Sequence, residues 1–153
     1  MMMSYLNKPI INSIATKRII SFELANTLKR SQEIIASWGP FAMVFVGIAL
    51  GFDFLYVLIY PLLVAITMYK IYIHLWSKHF FYTFGELLIW SLLVATIFDL
   101  KENVCLTQIL TENREHQWVL IGYYSATIKF LLIPLSSLYM AINSIRFLTK
   151  KYS

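Results

Sequence analysis

Two ionisable side chains sit inside long apolar runs, and chemistry is sought there first. Glu86 lies in the run 80–100 and Lys129 in the run 118–142. A charged group at the centre of a membrane helix costs about 2.5–3.5 kcal/mol on insertion scales, so it normally faces protein or water and often marks a proton or ion pathway. One glutamate and one lysine make a thin pathway, and neither a filter sequence nor a pair of interrupted repeats accompanies them. Glu86 falls six residues into its run, whereas Lys129 is near the middle of its own. At the rise of an α-helix the two differ in depth by roughly 10 Å. Helical side chains lean toward the N-terminus, which carries these two apart in antiparallel neighbours. Glu86 and Lys129 therefore read as intramembrane polar contacts holding two spans, with Lys129 snorkelling past Tyr123, Tyr124 and Ser125. On that reading Lys129→Leu leaves membrane insertion and abundance intact or improved.

The other reactive side chains form no recognisable centre. Lys70, His74 and Lys78 recur every four residues, so they share a helical face at a membrane boundary, where they suit lipid headgroups. His79 and His116 have no partner at metal-ligand spacing. No Ser-His-Asp, Walker, glycine-rich or paired-carboxylate motif is present. The expectation is a non-enzymatic chain with no catalytic residue, cofactor or metal. The single cysteine, Cys105, reads as a free thiol. Polar residues gather in 101–117, KENVCLTQILTENREHQ, which reads as the one sizeable external loop. Cys105, Leu106, Ile109 and Leu110 suit a short helix lying on the membrane surface. Glu102, Glu112, Arg114, Glu115 and His116 are its candidates for reading a protein partner.

These residues must be positioned by helices in lipid. Hydrophobic residues make up 59% of the 153 and charged residues 14%, against roughly 45–50% and about 25% in a soluble domain. A chain this short cannot bury that much apolar side chain in an aqueous core. Its partner is the bilayer, and its net charge of +5 reports orientation in a membrane rather than direct binding of nucleic acid. The fold class expected is all-α: a polytopic membrane protein of four transmembrane helices behind an N-terminal amphipathic interfacial helix. A bilayer core about 30 Å thick takes roughly 20 helical residues. The runs 54–76, 80–100 and 118–142 qualify directly. Gly51, Phe52 and Asp53 read as a tight turn, which makes 34–50 a short first span with a kink or helix start at Pro40. The alternative is one helix from Pro40 to Trp76, about 55 Å long. The resulting divisions are a cytoplasmic segment 1–33, a four-helix domain 34–142 and a basic tail 143–153. The small-residue pairs Gly47/Gly51, Ser91/Ala95 and Gly122/Ala126 permit close helix packing and leave a homo-oligomer open.

Four spans put Lys8, Lys17, Arg18, Lys29, Arg30, Lys70, Lys78, Arg146, Lys150 and Lys151 on one side, and only Lys101 and Arg114 on the other. By the positive-inside rule both termini are then cytoplasmic. Residues 17–35 read as one helix with an apolar stripe of Ile20, Leu24, Leu28 and Ile35, lying on the leaflet or docking a cytoplasmic partner. Phe22 falls outside that stripe.

The run Ile19-Ile20-Ser21-Phe22-Glu23-Leu24, with Leu28-Lys29 and then Ser37-Trp38 before the first span, resembles the TraS-type entry-exclusion proteins of F-like conjugative plasmids. The resemblance covers about twenty residues. It implies an inner-membrane protein that blocks redundant conjugative DNA entry by recognising a mating-pair protein of the donor cell. The outline of short loops and about four spans also fits immunity proteins against pore-forming bacteriocins, which bind the toxin's hydrophobic hairpin. A small transporter or a subunit of a membrane complex is the third class.

Overall fold

The computed structural model describes residues 10–75, 80–111 and 115–152. The described chain is helical: α1 Ile19–Glu23, α2 Leu28–Ser37, α3 Pro40–Leu75, α4 Phe80–Leu110 and α5 His116–Tyr152. The last three are about 54, 46 and 55 Å long at the α-helical rise. They are apolar on every side, the mark of helices whose solvent is protein or lipid. Among the described residues three helices, not four, are long and apolar enough to cross a membrane.

The turn expected at Gly51-Phe52-Asp53 is absent, because α3 runs unbroken from Pro40 through all three residues. Neither side of that triplet carries the polar stretch a chain reversal needs, and Gly51 does not use a positive φ. Pro40 does start a helix. It takes the first helical position, where its missing N–H costs nothing, and the Met43 N–H closes the first turn on the Gly39 carbonyl. Residues 101–110, expected in an external loop, are the last turns of α4.

The N-terminal segment is a folded cap rather than one surface helix. Asn26-Thr27 breaks the expected 17–35 helix. Thr27 is extended, and its hydroxyl accepts the Arg30 N–H at 3.2 Å, capping α2, as threonine commonly does. The break rotates the buried face away from the expected stripe. Ile20 and Leu24 are exposed, whereas Phe22, Ala25 and Ile34 are buried. Phe22 meets Trp38 edge-on with ring centres 5.7 Å apart. The strand of chain before α1 is stitched to the end of α2. The Trp38 indole donates to the Ile10 carbonyl at 2.9 Å. The Asn12 amide donates to Ser37 Oγ at 2.9 Å, while its oxygen accepts the Ile14 and Ala15 N–H groups.

Two apolar cores result. One unites the cap with the adjoining ends of the long helices: Phe22, Ile34 and Trp38 against Val46, Leu106, Ile109 and Val119. The other, toward the opposite end, joins Val64 and Met68 of α3, Leu88 and Leu92 of α4, and Tyr139 of α5. α4 and α5 make the most extensive contact, and at one point it depends on a glycine, Gly85. A Cβ at Gly85 would lie 2.5 Å from the Tyr139 hydroxyl, and one at Gly122 would lie 3.4 Å from Cys105 Cβ. Cys105 is a buried free thiol inside the bundle. Gly47 and Gly51 face open space.

Candidate functional site

Between the two cores lies a layer of charge. Each long helix contributes: Asp53 from α3, Asp99 and Glu102 from α4, and Lys129 from α5. Asp99, Glu102 and Lys129 are buried. The order along each helix fixes the level. Asp53 falls between Leu50 and Val64, Asp99 and Glu102 between Leu92 and Leu106, and Lys129 between Val119 and Tyr139. The Lys129 ammonium donates a hydrogen bond to Asp99 Oδ1 at 2.8 Å. It also forms an ion pair with Glu102 Oε2 at 2.7 Å, while Glu102 Oε1 is buried without a hydrogen-bond partner. Asn103, in the next position of α4, is fully buried with its amide nitrogen and oxygen unpaired.

The cap adds a fourth carboxyl group. Glu23, at the end of α1, is 6% exposed and couples electrostatically to Lys129, Asp53 and Asp99 and to Glu102. Burial pushes its pKa up from 4.5 to about 7; Lys129 opposes the rise, and Asp53 and Asp99 add to it. One ammonium thus faces three carboxyl groups, those of Glu23, Asp99 and Glu102. Breaking such a pair is costly, because the surviving partner stays buried and unpaired. The layer therefore fastens α4 to α5 and gives the cap a polar seat.

Of the residues expected at functional positions, Lys129 is in a polar contact inside the bundle, with Asp99 and Glu102 as its partners. Glu86 is exposed and, thirteen residues before Asp99 on the same helix, stands about 20 Å from the layer. Glu102 is 0% exposed and cannot read an external partner; continuation of α4 past Leu100 turned it inward. Glu115 and His116 are exposed where α5 begins, with Glu115 accepting a hydrogen bond from the Gln117 amide. Glu112 and Arg114 lie outside the described residues, as does the side chain of His74. Glu23 and Asp99 were not foreseen as partners of Lys129.

No family model matches the chain, and neither does any curated protein or solved structure. The charge layer and the cap seated on it must be interpreted from their own geometry.

Proposed function

We propose that this chain is a non-enzymatic protein of the bacterial inner membrane that excludes redundant conjugative DNA by contact with a mating-pair protein of the donor. The observation that carries the reading is the position of the residues resembling the entry-exclusion family. Residues 19–24, 28–29 and 37–38 all fall in the cap. Their apolar members Phe22 and Trp38 seat it, while Ile20, Leu24, Lys29, Arg30 and Glu33 stay exposed. Such a division suits a partner-reading element mounted on a lipid-facing anchor. The partner-reading surface is assigned to the exposed face of the cap, because the inward turn of Glu102 removes the best-placed charge from the other candidate segment. Cells expressing the chain should become poor recipients for one related plasmid and remain normal recipients for unrelated ones. Exchanging 17–35 with the matching segment of a related protein should transfer that preference. Undiminished mating with every F-like donor, at confirmed membrane expression, would remove this reading. Survival against pore-forming bacteriocins, scored on the same cells, would then point to immunity.

Three spans also revise the topology. The cap and the C-terminal tail come to lie on opposite sides of the membrane. Among the described residues, Lys17, Arg18, Lys29, Arg30 and Lys101 are toward the cap side, and Lys70, Arg146, Lys150 and Lys151 toward the other. The larger group places the cap in the cytoplasm. An alkaline-phosphatase reporter after Glu112 should be inactive, and one after Tyr152 active. Four spans with cytoplasmic termini give the reverse at both sites, so one pair of fusions separates the two layouts.

A further inference from the structure

We infer that the open groove between α4 and α5 beside Lys101 is a site for one anionic phospholipid, with an acyl chain along its walls and the headgroup phosphate on the Lys101 ammonium. The groove holds about 450 Å³ and is lined by Ile97, Leu100, Lys101 and Val104 of α4 and by Trp118 and Ile121 of α5. An apolar hollow of that size with one charged group on its wall has the make-up of a small-molecule site. Ile97, Val104 and Ile121 are exposed, so the groove opens outward from the bundle rather than into the charge layer.

Lys101 sets the charge of the occupant. Among the described residues of α4 and α5, the exposed titratable side chains between Glu86 and Ile145 are Glu86 itself, Lys101 and His116, and His116 stands at the first position of α5. Lys101 is therefore the cation set within the lipid-facing surface of this helix pair. Glu86 and Lys101 lie fifteen residues apart on α4, about 22 Å. With the reach of both side chains, that approaches the hydrocarbon thickness of about 30 Å. Lys101 thus stands at the headgroup level on the cap side. Among the described residues no carboxylate pairs with it. Asp99 and Glu102 are turned inward onto Lys129. The positions one turn away that share its helical face, Ile97, Phe98, Val104 and Cys105, offer no counter-charge. The ammonium lies 5.8 Å from the centre of the Phe98 ring, one turn toward the middle of α4 and away from the water beyond the cap end. A cation held against an apolar groove at that level is complementary to a lipid phosphate. One lysine near the membrane surface favours an anionic lipid on the order of fivefold.

The test uses the full chain in phosphatidylcholine vesicles and reads tryptophan quenching by lipids brominated on their acyl chains. Trp118 lines the groove, so the difference between the parent chain and Trp118→Phe isolates its share. The mole fraction of brominated phosphatidylglycerol that half-quenches Trp118 should be about one fifth of that of brominated phosphatidylcholine. Lys101→Gln should bring the two fractions to within about 1.5-fold. The phosphatidylcholine curve should not move in that variant, since the groove walls are left in place. Lys29→Gln, at an exposed lysine of α2, should keep the fivefold preference and so separates the site from the general field of the basic cap. Equal fractions for the two lipids in the parent chain would overturn the site, as would a Trp118 that neither lipid quenches. A preference that survives Lys101→Gln, or one lost in Lys29→Gln, would do the same.

Discussion

Lys129→Leu should insert into the membrane at least as well as the parent chain and then fail to hold its fold, losing about 3–5 kcal/mol. The two effects have different origins. Insertion is governed by the cost of a lone charge in lipid, which leucine removes. Folding is governed by what surrounds position 129, and there leucine strands Asp99 and Glu102. The side chains of these two are 9% and 0% exposed, and the ammonium is within 2.8 Å of both. Membrane-fractionated protein should remain, while the yield of monodisperse protein in mild detergent falls and its thermal midpoint drops. Adding Asp99→Asn and Glu102→Gln should recover much of the loss, since replacing a whole buried ion group by neutral residues is often tolerated. An unchanged midpoint for Lys129→Leu alone would mean that the charges are dispensable to the fold. The sequence-based expectation that this substitution is harmless had Lys129 snorkelling past Tyr123, Tyr124 and Ser125; its contacts with Asp99 and Glu102 reverse the sign.

Phe22→Ala should release the cap and leave the three long helices assembled. Phe22 is 1% exposed, packs edge-on against Trp38 and belongs to the core that joins cap and bundle. Truncating a buried phenylalanine costs about 3–5 kcal/mol, and the lost ring pair adds about 0.5–1.5 kcal/mol. The second core, built from Val64, Met68, Leu88, Leu92 and Tyr139, includes no cap residue and should persist. Limited trypsin should cut the variant rapidly at Lys17, Arg18, Lys29 and Arg30 and leave a stable fragment of the long helices. Ile20→Ala, at a residue 39% exposed, should be cut no faster than the parent. Equal protection of both variants would show that the cap is held by something other than this aromatic contact.

The membrane class and the helical content were legible because they depend on composition and on run length alone. The number of spans was not, because it turned on a single triplet. Gly-Phe-Asp is compatible with a turn, but it is also compatible with a helix whose aspartate finds charged company inside the bundle. The charge layer was partly legible. In α4 eight of the buried positions, Gly85, Leu88, Leu92, Ala95, Asp99, Glu102, Leu106 and Ile109, form a line that steps by three and four residues, the spacing of a packed helical seam; Asn103 and Cys105 are buried beside it. Asp99 and Glu102 occupy core positions of that seam. Ending the helix at Leu100 hid this, because Glu102 then belonged to a loop. Glu23 could not have been read from periodicity. The apolar stripe through Ile20 and Leu24 is as regular as the face that is buried, and only the break at Asn26-Thr27 selects between them.

The most direct measurement of the charge layer is a double-mutant cycle between Lys129 and Glu102, scored as unfolding free energy in detergent. Lys129→Leu, Glu102→Gln and the double variant complete it with the parent chain. Side chains that share a buried network show coupling of about 0.5–3 kcal/mol. The expected result is coupling near the upper end, about 2–3 kcal/mol, with the double variant more stable than Lys129→Leu. Single effects that add to within about 0.5 kcal/mol would contradict it, and would mean that Lys129 and Glu102 do not meet inside the folded protein.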